Sequence, residues 1–176
     1  MSANEPTLRL AVAESGKPLV RVFLSFAKRD TAVAGRLWDL LAEATAIDRT
    51  YEFRLWRFDE AILEGEDWDA RIKEALSVSE LGVLALSNTF LGSGYITGVE
   101  LPALVDVSGK RPFPLSLRQV TKHADWQGLD SKQIYGFKRS FDQVRGRSAQ
   151  DAWVNELVDQ FHRVLARYTV QTDGER

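Results

Sequence analysis

An α/β fold is predicted, a parallel sheet with helices on both faces, on three observations. Short runs rich in β-branched and aromatic residues alternate with segments of helical apolar spacing. One run, Leu81 to Leu86, is apolar throughout, as a strand covered on both faces must be. The chain of 176 residues is long enough for one domain with a hydrophobic core and too short for two ordinary ones.

Taken in order, residues 1–18 end in the breaker cluster Glu14-Ser15-Gly16-Lys17-Pro18 and read as an arm or linker with one apolar patch from Leu8 to Val12. Ordered structure is expected to begin near Leu19. Val20 to Phe26 reads as the first strand. Asp30 is placed to cap a helix whose apolar positions Val33, Leu37, Leu40, Leu41 and Ala44 follow helical spacing. Tyr51 to Trp56 makes a second strand, a polar loop runs from Arg57 to Asp67, and Trp68, Ile72, Ala75 and Leu76 mark a second helix.

The third strand, Leu81 to Leu86, runs into a glycine-rich turn with Gly92, Gly94 and Gly98. Arg111 to Leu117 is a fourth strand, and its two prolines, Pro112 and Pro114, cost ladder donors and demote it toward an edge. From Arg118 to Ser148 little periodicity is legible. From Asp151, the spacing of Val154, Leu157, Val158, Phe161, Leu165 and Tyr168 describes a terminal helix, so the domain is expected over 19–168, with a tail at 169–176. The size and alternation are flavodoxin-like, with right-handed crossovers between parallel strands.

Composition narrows function mostly by exclusion. Acidic and basic residues nearly balance, so direct nucleic-acid binding, which favours a strongly basic face, is not expected. Apolar runs are too short to span a bilayer, the amino terminus lacks the pattern of a secretory signal, and cysteine is absent, which fits a cytoplasmic location. Without cysteine, and with only His123 and His162, no structural zinc set is expected. A phosphate-cradling Gly-x-x-x-x-Gly-Lys-Ser/Thr loop is missing. The place of a phosphoacceptor aspartate after the third strand holds Ser87.

Charge is unevenly spread. Carboxylates outnumber cations from Glu52 to Glu80, and the reverse holds from Asp106 to Ser148. Two solvated faces of opposite sign would explain this, and so would head-to-tail self-association.

Glu100 is the residue of greatest chemical interest, a single carboxylate beyond the carboxyl end of a strand, where open α/β sheets bind ligands. Thr97-Gly98-Val99-Glu100 also spells a Thr-x-x-Glu capping box. Pro102 opposes that reading, because a helix starting at Gly98 would place proline past its first turn. A helix beginning near Leu101 would leave Glu100 in an irregular approach facing the cleft.

Three blocks, Val22-Phe23-Leu24-Ser25-Phe26 with Asp30, Trp56 to Trp68, and Leu84 to Tyr95 closing on Glu100-Leu101, together resemble the Toll/interleukin-1 receptor (TIR) domain family, in its bacterial-type, NAD-cleaving subgroup. Val22-Phe23-Leu24-Ser25-Phe26 followed by Asp30 is similar to the family's first-strand box. Trp56-Arg57-Phe58-Asp59-Glu60-Ala61-Ile62-Leu63-Glu64-Gly65-Glu66-Asp67-Trp68 is similar to its second strand and BB loop. Leu84 to Tyr95, closing on Glu100-Leu101, is similar to its third strand and active-site segment. Phe26 stands where a tyrosine is usual, and Tyr95 lies five residues before Glu100 where many members have a tryptophan four before.

The resemblance implies a sheet of about five strands and cleavage of the nicotinamide–ribose bond of NAD+, a substrate rather than a bound cofactor. It assigns the catalytic role to Glu100. It places Phe26, Ala27 and Lys28 in the loop that lines the substrate cleft, Arg57, Phe58 and Asp59 at the BB loop, Trp68 at the opening of the next helix, and Tyr95 beside the active-site segment. Phe26, Phe58 or Tyr95 would stack on the pyridinium, unless Phe26 and Phe58 serve as core packing, and Lys28 and Arg29 would meet the pyrophosphate. The resemblance also implies a homo-oligomer through the BB loop, extending to a filament, and activation by a sensor protein or nucleotide second-messenger module in a defence role. The alternative within the same family is a non-catalytic adaptor that signals through TIR–TIR contact.

Overall fold

The computed structural model describes residues 7–57, 68–94, 96–104, 110–129 and 133–169. Four strands form one parallel sheet: β1 (Leu19–Ser25), β2 (Glu52–Arg57), β3 (Leu81–Leu86) and β4 (Arg111–Ser116), in the order β2-β1-β3-β4. The pairing Val22↔Leu81 through Ser25↔Leu84 sets β3 against β1, and Leu81↔Arg111 through Leu86↔Ser116 sets β4 against β3. Helix α1 (Thr31–Ala46) joins β1 to β2, α2 (Trp68–Val78) precedes β3, and α5 (Arg147–Tyr168) closes the domain. Between β3 and β4 lie the short helices α3 (Asn88–Gly92) and α4 (Leu101–Leu104).

Successive strand residues point to opposite faces, and the two hydrophobic clusters follow that alternation. Val20, Val22 and Leu24 of β1, with Leu81, Val83 and Ala85 of β3, pack under Leu37 and Leu41 of α1 and Leu157 and Phe161 of α5. Phe23, Leu84 and Leu86 face the other way, against Ile72 and Leu76 of α2 and Phe90 of α3. Every residue of β3 is buried, as its uninterrupted apolar run requires.

The sheet has four strands among the described residues rather than about five, and β4 supplies the reason. Residues that bond outward along β4 are Pro114, whose carbonyl accepts from the Tyr135 N–H at 3.0 Å, and Ser116, whose N–H donates to the Tyr135 carbonyl at 2.8 Å. Pro112 and Pro114 therefore take their missing donors from the outer edge. Among the described residues, pairing there is a single parallel bridge, Leu115↔Tyr135.

Two other expectations are revised. Residues before Leu19 do not stand apart from the body: Leu8 is fully buried, and its N–H donates to the Tyr168 carbonyl at 2.7 Å. The breaker cluster is a turn, with Gly16 at φ +81°, that lets Leu19 N–H reach the Ala11 carbonyl at 2.7 Å. The segment after β3 is also more regular than its glycines suggest, because Ser87, extended at φ −152° and ψ 170°, caps α3 by accepting from Phe90 N–H at 3.0 Å.

Candidate active-site edge

Strand order places the switch point between β1 and β3, where the chain reverses the side on which it adds strands. The loops leaving the carboxyl ends of these two strands are therefore the natural walls of a cleft. After β1, residues Lys28–Asp30 form a 3₁₀ turn that runs directly into α1. After β3 come Ser87, α3, and a π-helical turn over Ile96–Glu100 that passes into α4 at Leu101.

Buried serines mark this edge: Ser25 ends β1, Ser87 follows β3 and Ser116 ends β4. Asp30 is only 3 % exposed and does not cap α1 with its side chain. Its backbone, at φ −95° and ψ 9°, belongs to the 3₁₀ turn rather than to the extended conformation of an ordinary N-cap, so the carboxylate turns away from the helix it precedes. It accepts a short hydrogen bond from the Ser87 hydroxyl and one from Arg118 Nε at 2.9 Å. A buried carboxylate needs such partners, and here they come from the ends of β3 and β4. Arg118 also lies 3.7 Å from Asp142, whose other oxygen takes the Ser140 hydroxyl at 2.5 Å.

Sequence reasoning missed this network. A polar residue directly after a wholly apolar strand was the available signal, but the partner of Ser87 lies 57 residues away.

The expected site residues fall into three groups. Phe26 and Ala27 are buried, at 2 % and 3 % exposure, and Phe26 packs in the core under α1. In this arrangement Phe26 has no open face for a pyridinium to stack on. Lys28 is exposed on the 3₁₀ turn, and Arg57 ends β2 with its guanidinium against Gly35 of α1, 2.9 Å from where a Cβ would stand. Phe58, Asp59 and Tyr95 lie outside the described residues. Trp68 opens α2 and Glu100 closes the π turn, with their side chains outside what is described.

The capping-box reading of Glu100 fails at its other partner. Thr97 lies within the π-helical turn rather than at its start. Its N–H and its hydroxyl both donate to the Ser93 carbonyl, at 3.0 and 2.9 Å. Pro102 lacks the N–H that a continuous α-helix would send back toward Gly98, and the wider turn ahead of it is where that bond is missing. The α-helical hydrogen-bond pattern therefore starts at Leu101, with Glu100 in the irregular turn before it.

A family model described as TIR domain matches residues 22–158, from β1 into α5. The chain belongs to the TIR domain family. The match spans all three blocks of resemblance, and the parallel sheet with helices on both faces is the corresponding flavodoxin-like α/β fold. A search of curated proteins finds no match to this TIR chain. No helix among the described residues is long and apolar enough to cross a membrane.

Proposed function

We propose that this TIR domain cleaves the nicotinamide–ribose bond of NAD+ on self-assembly, with Glu100 as the catalytic carboxylate. The observation that carries the reading is the position of Glu100, on a π turn beyond the carboxyl end of β3 at the β1/β3 switch point, with Thr97 already committed to Ser93. π turns inside helices often accompany functional sites.

The chemistry asks little beyond one carboxylate. Nicotinamide departs as a neutral molecule, taking the electrons of the broken bond and leaving an oxocarbenium-like ribose that water or the adenine ring captures. A glutamate against the ribose accepts its hydroxyl hydrogens and stabilises the developing positive charge. In this reading Lys28 and Arg29, exposed after β1, meet the pyrophosphate. The acidic loop before α2 docks on a neighbouring subunit and completes the cleft, so activity follows assembly.

The second reading, a TIR adaptor without catalysis, is favoured by the burial of Phe26, which removes one expected aromatic wall. Concentrated or crowded protein is expected to consume NAD+ and release nicotinamide, and Glu100→Ala to abolish this while remaining folded. Turnover undiminished by that substitution would overturn the role of Glu100, and no turnover by wild type under assembly conditions would establish the adaptor.

A further inference from the structure

On the α1/α5 side of the sheet, away from the π turn, a cavity of about 520 Å³ opens between α1, the exit of β4 and the segment entering α5. Arg36, Arg118 and Arg145 line it, from three well-separated stretches of chain, and among the described residues the only carboxylate on its wall is Asp142. That carboxylate is already engaged by Ser140 and Arg118.

Two of the three cations, Arg36 and Arg145, have no carboxylate partner among the described residues. Arg145 is exposed and makes no hydrogen bond or ion pair with any described residue. Arg36 donates its Nε to the neutral Gln150 side chain at 3.2 Å. Arg118 spends its Nε on Asp30 and leaves an NH1 that reaches Asp142 at 3.7 Å. A second arginine-rich hollow, at the amino end of the sheet, offers the contrast: its Arg21, Arg54 and Arg71 are paired with Glu80, Glu52 and Glu74.

The amino end of α5 adds positive potential to the same cavity. Gly146, its N-cap, lines the wall, and α5 carries no acidic residue in its first turn and no side-chain cap, whereas α1 begins at the carboxylate Asp30. Val33 and Val144 supply an apolar wall for a non-ionic portion of a ligand.

We propose that this cavity binds the phosphate group of a small phosphorylated metabolite. Arginine is the side chain best matched to this chemistry, because its planar fork binds phosphate oxygens in pairs and keeps its charge at every physiological pH. The volume lies in the range of small-molecule sites. Ile96 of the π turn packs in the cluster on the other face of the sheet, whereas Arg118 on this wall also bonds Asp30 of the edge described above.

The test is a titration of the full chain with inorganic pyrophosphate, without NAD+, followed by amide chemical shifts. Saturable shifts are expected at Ala32, Val33 and Gly146, with affinity falling about tenfold in Arg145→Ala and in Arg36→Ala and holding in Arg163→Ala, an exposed cation on α5 outside the cavity. Arg145→Ala removes no internal partner, so folding is retained. Absence of saturation, or equal weakening by Arg163→Ala, would overturn the proposal, and both outcomes stand whether or not Glu100 cleaves NAD+.

Discussion

The two ends of the sheet use polar residues in opposite ways. At the amino end, charged side chains close contacts between distant segments. Glu80, 6 % exposed at its side chain, accepts from the Arg21 N–H at 2.7 Å and from its guanidinium at 2.6 Å. Lys110 donates to the carbonyls of Leu76, Ser77 and Ser79, which end α2, and its burial holds it below the ordinary lysine value. Arg111 lies over the Tyr168 ring, 3.3 Å from its centroid, and Asp48 bonds His162 at 2.5 Å. At the carboxyl end β1 and β4 stop in serines and β3 runs into one, and the buried carboxylate of Asp30 is held by Ser87 and Arg118. One end is consumed by holding the fold together, whereas the other has the place in the sheet where open α/β folds bind ligands.

The largest test of this contrast is Glu80→Ala, which removes the ion pair and orphans the Arg21 N–H. A loss of about 3 kcal/mol in unfolding free energy is expected by chemical denaturation, with NAD+ turnover per folded molecule unchanged. A loss of turnover in the folded fraction would show that the amino end is coupled to the site.

Ser87→Ala strikes the other end. Losing the cap of α3 and one donor to Asp30 should cost about 2 kcal/mol. Its distinguishing sign is local: faster hydrogen exchange in α3 and the π turn, with β1 and β3 protected as before. Exchange rising uniformly across the sheet would place Ser87 among the general stabilisers.

The smallest effect concerns acid stability at the amino end. Burial pushes the Asp48 carboxyl up, but N–H groups of Tyr51 and Thr50 and the His162 ring outweigh it and hold the value below the usual carboxylate range. A depressed folded value means that the stabilisation is complete above the unfolded value of about 3.9 and is lost as pH falls through the folded one. Asp48→Asn should flatten the stability curve below about pH 4. An unchanged acid limb would show that Asp48 contributes no pH-linked stability.

Much of the fold was legible because its signals are local. Alternation in β1, the continuous apolar run of β3 and the helical spacing in α1, α2 and α5 each lie within one element. Pro112 and Pro114 marked β4 as an edge, and their missing donors also limit the pairing beyond it to the Tyr135 bridge. The candidate site was legible more unevenly. Pro102 foretold that an α-helix would begin near Leu101 with Glu100 ahead of it. Phe26, by contrast, has the same sequence signature whether it lines a cleft or fills a core, and its burial in the cluster under α1 is visible only in the fold.

What the sequence by itself determined is the order of elements, the edge role of β4 and TIR membership, because periodicity, missing N–H groups and short motifs are properties of neighbouring residues. Tertiary structure alone decided where polar groups find partners. Asp30 stands where a helix cap belongs, yet it bonds Ser87 and Arg118 across 57 and 88 residues, because the turn before α1 aims it inward and a buried carboxylate cannot remain unpaired. The cavity lined by Arg36, Arg118 and Arg145 has the same origin, since only the folded chain brings three such distant cations to one wall.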